Sequence, residues 1–192
     1  MKKILVINGP PTKNSFCNAL SDSYVTSVAS AGNKIVLLNL YDLEFRINFK
    51  NGYSKKEETE KDILLAQEKI KWAEHIVIVH PVWWGSVPAL LKGFFDTALL
   101  PGFTFKYREN SPLWDKLLSG RTGHIIYTSD TPIWFYKYIY MAPSVAQVKR
   151  RTLGFCGINN VRVTRIGPIR KSKAEFREKW LNKIKELGTK AA

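Results

Sequence analysis

The chain has 192 residues, 45% of them hydrophobic, and a formal charge of +14; this fits one domain with one core and excludes an intrinsically disordered chain. No apolar run reaches the roughly 18 residues that a membrane-spanning helix needs, and two cysteines supply neither a disulfide framework nor a metal site. The charge attracts phosphate-bearing ligands, acidic surfaces or nucleic acid without specificity, but Lys and Arg are spread along the chain and no nucleic-acid-reading module accompanies them.

The opening MKKILVING reads as a first strand over Lys2–Ile7, because its short apolar run meets Asn8-Gly9-Pro10-Pro11 instead of a small-residue cleavage site. With so few cysteines, a reduced, cytoplasmic protein is expected. Phe16, Leu20, Tyr24 and Val28 share one helical face, and Gly32-Asn33 stops that helix. Lys34–Leu40 is a second strand and Tyr41–Tyr53 a loop. Ser54 and Glu57 have capping-box spacing, with Thr59 as the alternative start, for a helix striped by Ile63, Ala66, Ile70 and Ala73.

His75–His80 is a buried third strand that ends in the rigid aromatic turn Pro81-Val82-Trp83-Trp84-Gly85. Val87, Leu90, Leu91 and Phe94 mark the next helix, with Pro88 tolerated in its first turn. Leu99–Tyr107 is an aromatic loop, Leu113–Leu118 a short helix and Arg121–Thr128 the fourth strand. An aromatic run, Ile133–Tyr140, opens a long segment reaching about Leu153, and Asn160–Ile166 is the fifth strand. Ser172 and Glu175 form a capping box for a last helix carrying Phe176, Trp180, Ile184 and Leu187, with Gly188 as its stop. Strands alternating with helices predict a parallel sheet covered on both faces, in one domain with right-handed crossovers.

In such sheets ligands sit at the carboxyl ends of the strands, so two loops draw the eye. Gly9–Ser15 lacks both the Walker pattern and the glycine-spaced dinucleotide fingerprint. It offers Thr12, Asn14, Ser15 and Asn18 beside the amides of a helix N-terminus, which either hold a phosphate or simply cap the helix. In the aromatic turn, Trp83 and Trp84 are either a stacking wall for a planar ligand or core.

Pro81-Val82-Trp83-Trp84-Gly85-Ser86-Val87-Pro88-Ala89-Leu90-Leu91-Lys92-Gly93-Phe94-Phe95-Asp96 resembles the signature of the flavodoxin-like NAD(P)H:quinone oxidoreductase family. Gly102-Phe103-Thr104-Phe105, Gly9 with Ser15-Phe16, and Leu153-Gly154-Phe155-Cys156-Gly157-Ile158 extend that resemblance over nearly the whole chain. It implies a flavodoxin-like three-layer sandwich with a five-stranded parallel sheet of order 2-1-3-4-5. It also implies a homodimer with sites at the subunit interface, a bound FMN or FAD, and ping-pong transfer of two electrons from NADPH or NADH to quinones, azo or nitro compounds. Carried over, Thr12, Asn14, Ser15, Phe16 and Asn18 hold the flavin phosphate, Pro81–Gly85 lies along the ring with backbone N–H groups on its polar edge, and Phe105 closes the site. The chain is short and shows no adenine pocket, which favours FMN.

The chain departs from this family after its fourth strand. Thr128-Ser129-Asp130-Thr131-Pro132 stands where glycines are usual, and Asp130 there either meets the ligand or forms an Asx turn. Tyr136 lies near the family's assisting tyrosine, but the matching histidine is absent, so no side chain is an obligatory acid or base; Tyr136 and Asp130 are candidates for support. Trp134, Tyr136 and Tyr138 are expected to shape an apolar acceptor pocket or the dimer surface. His75, His80 and His124 are expected to be packed or at the solvent edge, Cys17 to be a candidate for a lowered pKa in the first helical turn, and Cys156 to be inert. The rival reading is a regulatory subunit docking its basic surface on a partner protein or a membrane transporter.

Overall fold

A computed structural model describes residues 1–48 and 59–191. Five parallel strands form the centre: β1 (Lys3–Asn8), β2 (Lys34–Asn39), β3 (His75–Pro81), β6 (Thr122–Thr128) and β7 (Asn160–Ile166). Their order is β2-β1-β3-β6-β7. The gap in numbering is a two-stranded antiparallel hairpin, β4 (Phe105–Tyr107) and β5 (Trp114–Lys116). The chain thus has more strands than expected, and the order reads 2-1-3-6-7 in place of 2-1-3-4-5. The helix expected over Leu113–Leu118 is replaced by β5 and a turn; Phe105, Lys106 and Tyr107 pair with Lys116, Asp115 and Trp114, and β-branched or aromatic residues at both strands favour that pairing.

Alternation along the central strands sends side chains to two cores. Ile4, Val6, Val77, Val79 and Ile126 face Leu20, Tyr24 and Val28 of α1 (Phe16–Ser30) and Ile184 of α7 (Ala174–Thr189). Leu5, Ile7, Ile76, Ile78 and Ile125 face Ile63, Ala66 and Ile70 of α2 (Lys61–Trp72) and Leu91, Phe94 and Phe95 of α3 (Ala89–Ala98). Fully burying one such side chain contributes about 1.5–3 kcal/mol, so the two-sided pattern fixes register as well as stability.

The helix ends differ from the sequence reading. Ser54 and Glu57 lie outside the described residues. Ser172 does not cap α7: its hydroxyl donates to Ile169 O at 2.7 Å and accepts from Arg177 Nε at 2.9 Å. Gly188 does not stop α7 but lies within it, against Tyr24 and Ser27 of α1. Beyond β6, α4 (Ile133–Tyr138) is followed by α5 (Pro143–Val145), an eight-residue π-helix over Ala146–Leu153, and α6 (Gly154–Cys156).

Candidate functional site

The loops after β1, β3 and β6 meet at the carboxyl end of the sheet, because those strands are consecutive neighbours. β1 continues one residue beyond its end: Gly9 N–H donates to Val79 O at 2.8 Å. A Cβ on Gly9 would stand 2.9 Å from Leu91 Cδ2 and 3.1 Å from Val79 O, so the first loop can leave β1 against α3 only through a glycine. Asn8 anchors the same corner, donating to Asn39 Oδ1 at 2.9 Å and accepting from Ser21 Oγ at 3.0 Å.

Thr12 and Asn14 are exposed and Phe16 is half-buried in this loop. Ser15 is the N-cap of α1, its hydroxyl accepting from Asn18 N–H at 3.4 Å and bonding Asn18 Oδ1. Asn18 is buried and donates to Tyr41 OH at 3.0 Å, so it shapes the loop through Tyr41. Among the described residues the Phe16 and Cys17 N–H groups have no acceptor, which leaves a helix N-terminus suited to an anion. The loop's one cation, Lys13, is paired with Asp42 at 2.9 Å, and that hydrogen bond raises its pKa. Tyr41 and Asp42 were missed by sequence reasoning, which saw only an aperiodic loop there.

The aromatic turn is a tight reversal. Trp83 and Ser86 exchange backbone hydrogen bonds at 3.0 and 2.8 Å, and both central residues have positive φ, 49° at Trp84 and 74° at Gly85. A bulky residue in that region is strained. Val82 N–H is also spent, on Thr128 O at 2.7 Å. Of the turn's N–H groups, expected to face a ligand's polar edge, Val82 and Trp83 donate within the protein, and among the described residues only Trp84 and Gly85 keep theirs open. The indoles are not core either; Trp83 is 47% exposed and Trp84 fully so.

A segment remote in sequence holds this turn. Tyr136 is buried, and its hydroxyl lies 2.9 Å from Gly85 O, 2.6 Å from Ser144 Oγ and 3.0 Å from Ser144 N. A carbonyl only accepts and an N–H only donates, so the phenol donates to Gly85 and accepts from Ser144. Ser86 Oγ donates to Gln147 Oε1 at 2.7 Å. Tyr136 is thus a positioning residue inside the protein and does not line a pocket. Ser144 and Gln147 carried no sequence signal.

The loop after β6 is folded by Ser129, whose hydroxyl accepts from Thr131 N–H at 3.0 Å. Asp130 does not form the Asx turn; its carboxylate accepts from Arg170 N–H at 2.8 Å and ties this loop to the one after β7. Thr128 is buried with its hydroxyl 3.2 Å from Cys17 Sγ, joining the end of β6 to the first turn of α1. Burial pushes the Cys17 thiol up to about 12, which overturns the expectation of a lowered pKa. Cys156 is buried and its pKa is raised for the same reason.

Phe105 is not at this edge in this chain: it is buried in the hairpin, 4.8 Å edge-on to Phe155. Trp134 and Tyr138 are 62% and 63% exposed, beside exposed Ile139, Tyr140 and Met141, so they form surface, with no pocket wall among the described residues. Burial depresses His75 and His80 to about 4 and His124 to about 3. His80 Nδ1–H donates to Pro81 O at 3.0 Å, while its buried Nε2 has no partner among the described residues.

A five-stranded parallel sheet with a core on each face places the chain in the doubly wound α/β class. The chain belongs to the Flavodoxin-like fold family, which it matches over residues 2–187. It is 28% identical over 183 residues to the ribosyldihydronicotinamide dehydrogenase [quinone] of Rattus norvegicus, covering 81% of this chain and 77% of the relative. Two solved structures share its fold. The NAD(P)H:quinone oxidoreductase of Methanothermobacter marburgensis has a TM-score of 0.82 at 20% identity, covering 100% of this chain and 99% of that one. The FMN-dependent NADH-azoreductase of Bacillus anthracis in complex with FMN has a TM-score of 0.77 at 20% identity, covering 98% and 99%.

Proposed function

We propose that this chain is a flavin-dependent NAD(P)H oxidoreductase that reduces quinones or azo compounds, with FMN at the carboxyl edge of the sheet. The observation that carries the reading is the pairing of two sets of open amides, Phe16 and Cys17 on α1 and Trp84 and Gly85 on the turn, across the ends of adjacent strands. One set suits a phosphate and the other the polar rim of a planar ring. The names of the rat relative and of the two fold neighbours support the choice of substrate and cofactor.

A flavin bound there would supply the redox chemistry, a hydride acceptor for the nicotinamide and a two-electron donor for the acceptor. The chain's residues bind and orient. Thr12, Asn14 and the α1 amides hold the phosphate; Ser15 and Asn18 fix the loop; the Trp84 and Gly85 N–H groups meet the ring, stabilising negative charge without a titratable group. Pro81, Val82, Thr128, Ser129, Asp130 and Thr131 border the ring's place from the ends of β3 and β6. The exposed Trp84, Trp134, Tyr138, Ile139, Tyr140 and Met141 form an apolar surface of the kind a second copy covers, and a homodimer completes the acceptor pocket. The surplus of cations steers the anionic nicotinamide nucleotide inward.

The test is direct. Purified protein should be yellow with FMN, bleach anaerobically on NADPH or NADH, and recover its colour with menadione. Colourless protein that takes up neither FMN nor FAD would overturn the proposal.

A further inference from the structure

The cations run through the whole sequence, but the carboxylates that offset them do not. Residues 1–115 hold 14 Lys and Arg against 12 Asp and Glu. Residues 160–190, from the edge strand β7 through α7, hold 10 against 3, which is half of the net charge of +14. One edge of the fold is therefore strongly cationic.

Helical spacing gathers much of this charge on one side of α7. Gly188 lies against Tyr24 and Ser27 of α1. At about 100° per residue, Lys179, Lys183 and Lys190 fall roughly 140–180° around the helix from Gly188, on the side turned away from α1. Arg170, Lys171 and Lys173 stand in the loop that leads into the helix, and all six cations are exposed. Glu175 and Glu186 are the carboxylates on this side. Among the described residues only Lys183 of the six has a carboxylate within 4 Å, that of Glu186 at 3.9 Å. The 16 residues of α7 carry the row over about 24 Å.

An apolar groove opens in the same surface. It has a volume of about 390 Å³ and is lined by Pro168, Lys171, Ser172, Lys173, Glu175 and Phe176. Pro168 and Phe176 supply its apolar wall, beside lysines whose stems can lie on apolar surface while their charged heads stay in water. This loop is continuous with the carboxyl edge of the sheet, because the Asp130 carboxylate accepts from Arg170 N–H at 2.8 Å.

We propose that this face, the loop over residues 167–173 with the outer side of α7, docks on an anionic phospholipid bilayer. A long row of lysines meets the diffuse charge of lipid headgroups without a fixed pairing geometry, each cation adding about fivefold to the partition. The groove takes apolar contact from the interfacial layer of the bilayer. A nucleic-acid backbone would satisfy the lysines equally but leaves that groove unused. On the flavin reading, from which this consequence alone follows, docking brings the acceptor cleft to the surface that holds long-tailed quinones.

Sedimentation with vesicles of mixed phosphatidylcholine and phosphatidylglycerol tests this, read from the protein band. The protein should pellet with these vesicles at about 0.1 M salt, leave them as salt rises toward about 1 M, and ignore vesicles of phosphatidylcholine alone. The triple variant Lys171→Gln/Lys173→Gln/Lys179→Gln should partition about thirtyfold or more weakly. Lys61→Gln/Lys69→Gln/Lys71→Gln, which removes the same charge from α2 on the other face of the sheet, should weaken it less than about threefold. Both variants should keep the wild-type thermal midpoint. No pelleting with the mixed vesicles, equal pelleting with phosphatidylcholine alone, equal weakening by the two variants, or tighter binding to a random-sequence DNA duplex at the same salt would each overturn the proposal. Colourless protein that still pelleted would uphold the docking face and overturn the flavin reading.

Discussion

Replacing Tyr136 by Phe removes one oxygen and leaves the ring in place against Tyr127, centroid to centroid 5.6 Å. That oxygen serves Gly85 O, Ser144 Oγ and Ser144 N–H at 2.9, 2.6 and 3.0 Å. Ser144 is fully buried, so its N–H loses its acceptor with no water at hand, at a cost of about 1–3 kcal/mol. The Ser144 hydroxyl can rotate and recovers part of its loss, and the half-buried Gly85 carbonyl gains some solvent. The sum is about 3 kcal/mol, which in a chain of this size lowers Tm by about 6–12 °C. Freed of its carbonyl anchor, the turn presents the Trp84 and Gly85 amides less well, and FMN affinity should fall about tenfold. Thermal unfolding followed by circular dichroism and FMN fluorescence titration read the two effects. Tyr138→Phe is the control, because that hydroxyl is exposed and, among the described residues, meets only Lys137 Nζ. A Tyr136→Phe protein with the Tm and FMN affinity of the Tyr138→Phe control would refute the reasoning.

Trp84→Asn places a residue that tolerates positive φ before Gly85, a favoured pair for such a turn; Tm should rise by about 2–4 °C while NADPH-dependent menadione reduction falls, and a lowered Tm would count against strain at Trp84. Gly9→Ala forces its new methyl into Leu91 and Val79 O and should cost about 1–3 kcal/mol in urea unfolding, together with loss of bound FMN. The three buried histidines bind protons more readily in the unfolded chain, where their pKa is about 6.5, than in the native one at about 4, 4 and 3. Their contribution to stability is complete above about pH 6.5 and is lost as pH falls toward 4, so the urea midpoint should be level from pH 7 to 8 and drop steadily below 6.5; a flat profile down to pH 4 would contradict their burial. With both thiols buried and their pKa raised, Ellman's reagent should react with neither cysteine at pH 8 until guanidinium unfolds the chain.

The main sheet was legible because its inner strands β1 and β3 are buried on both faces and therefore apolar almost throughout, as in Ile76 to Val79, with glycines and prolines punctuating the chain. The fifth strand was read with the bounds observed, Asn160–Ile166. The hairpin escaped because three-residue strands with exposed Lys106 and Lys116 show no period. Capping at Ser172 failed because a local carbonyl, Ile169 O, competed for the same hydroxyl. At the site, the two ligand-facing loops could be found from composition and from their place after strands. Their internal hydrogen bonds could not: whether Val82 N–H faces a ligand or Thr128 O depends on the neighbouring strand, and Cys17 is shut away from solvent by packing against Thr128 and the sheet. Tyr136 read as a pocket residue from its aromatic neighbours, yet one helical turn decides which of them faces inward.

The tether from the aromatic turn to Ser144 and Gln147 has a consequence for genetics. A library of random substitutions scored only by colour or turnover would flag positions 136, 144 and 147 as strongly as those touching the flavin, though their side chains are spent on the turn and on one another. Selecting for altered cofactor affinity should accordingly enrich changes in α4 and the stretch after it, where effects can be graded by loosening a support without deleting a contact. Drift in that stretch among relatives would tune potency while the cradle itself stayed the same.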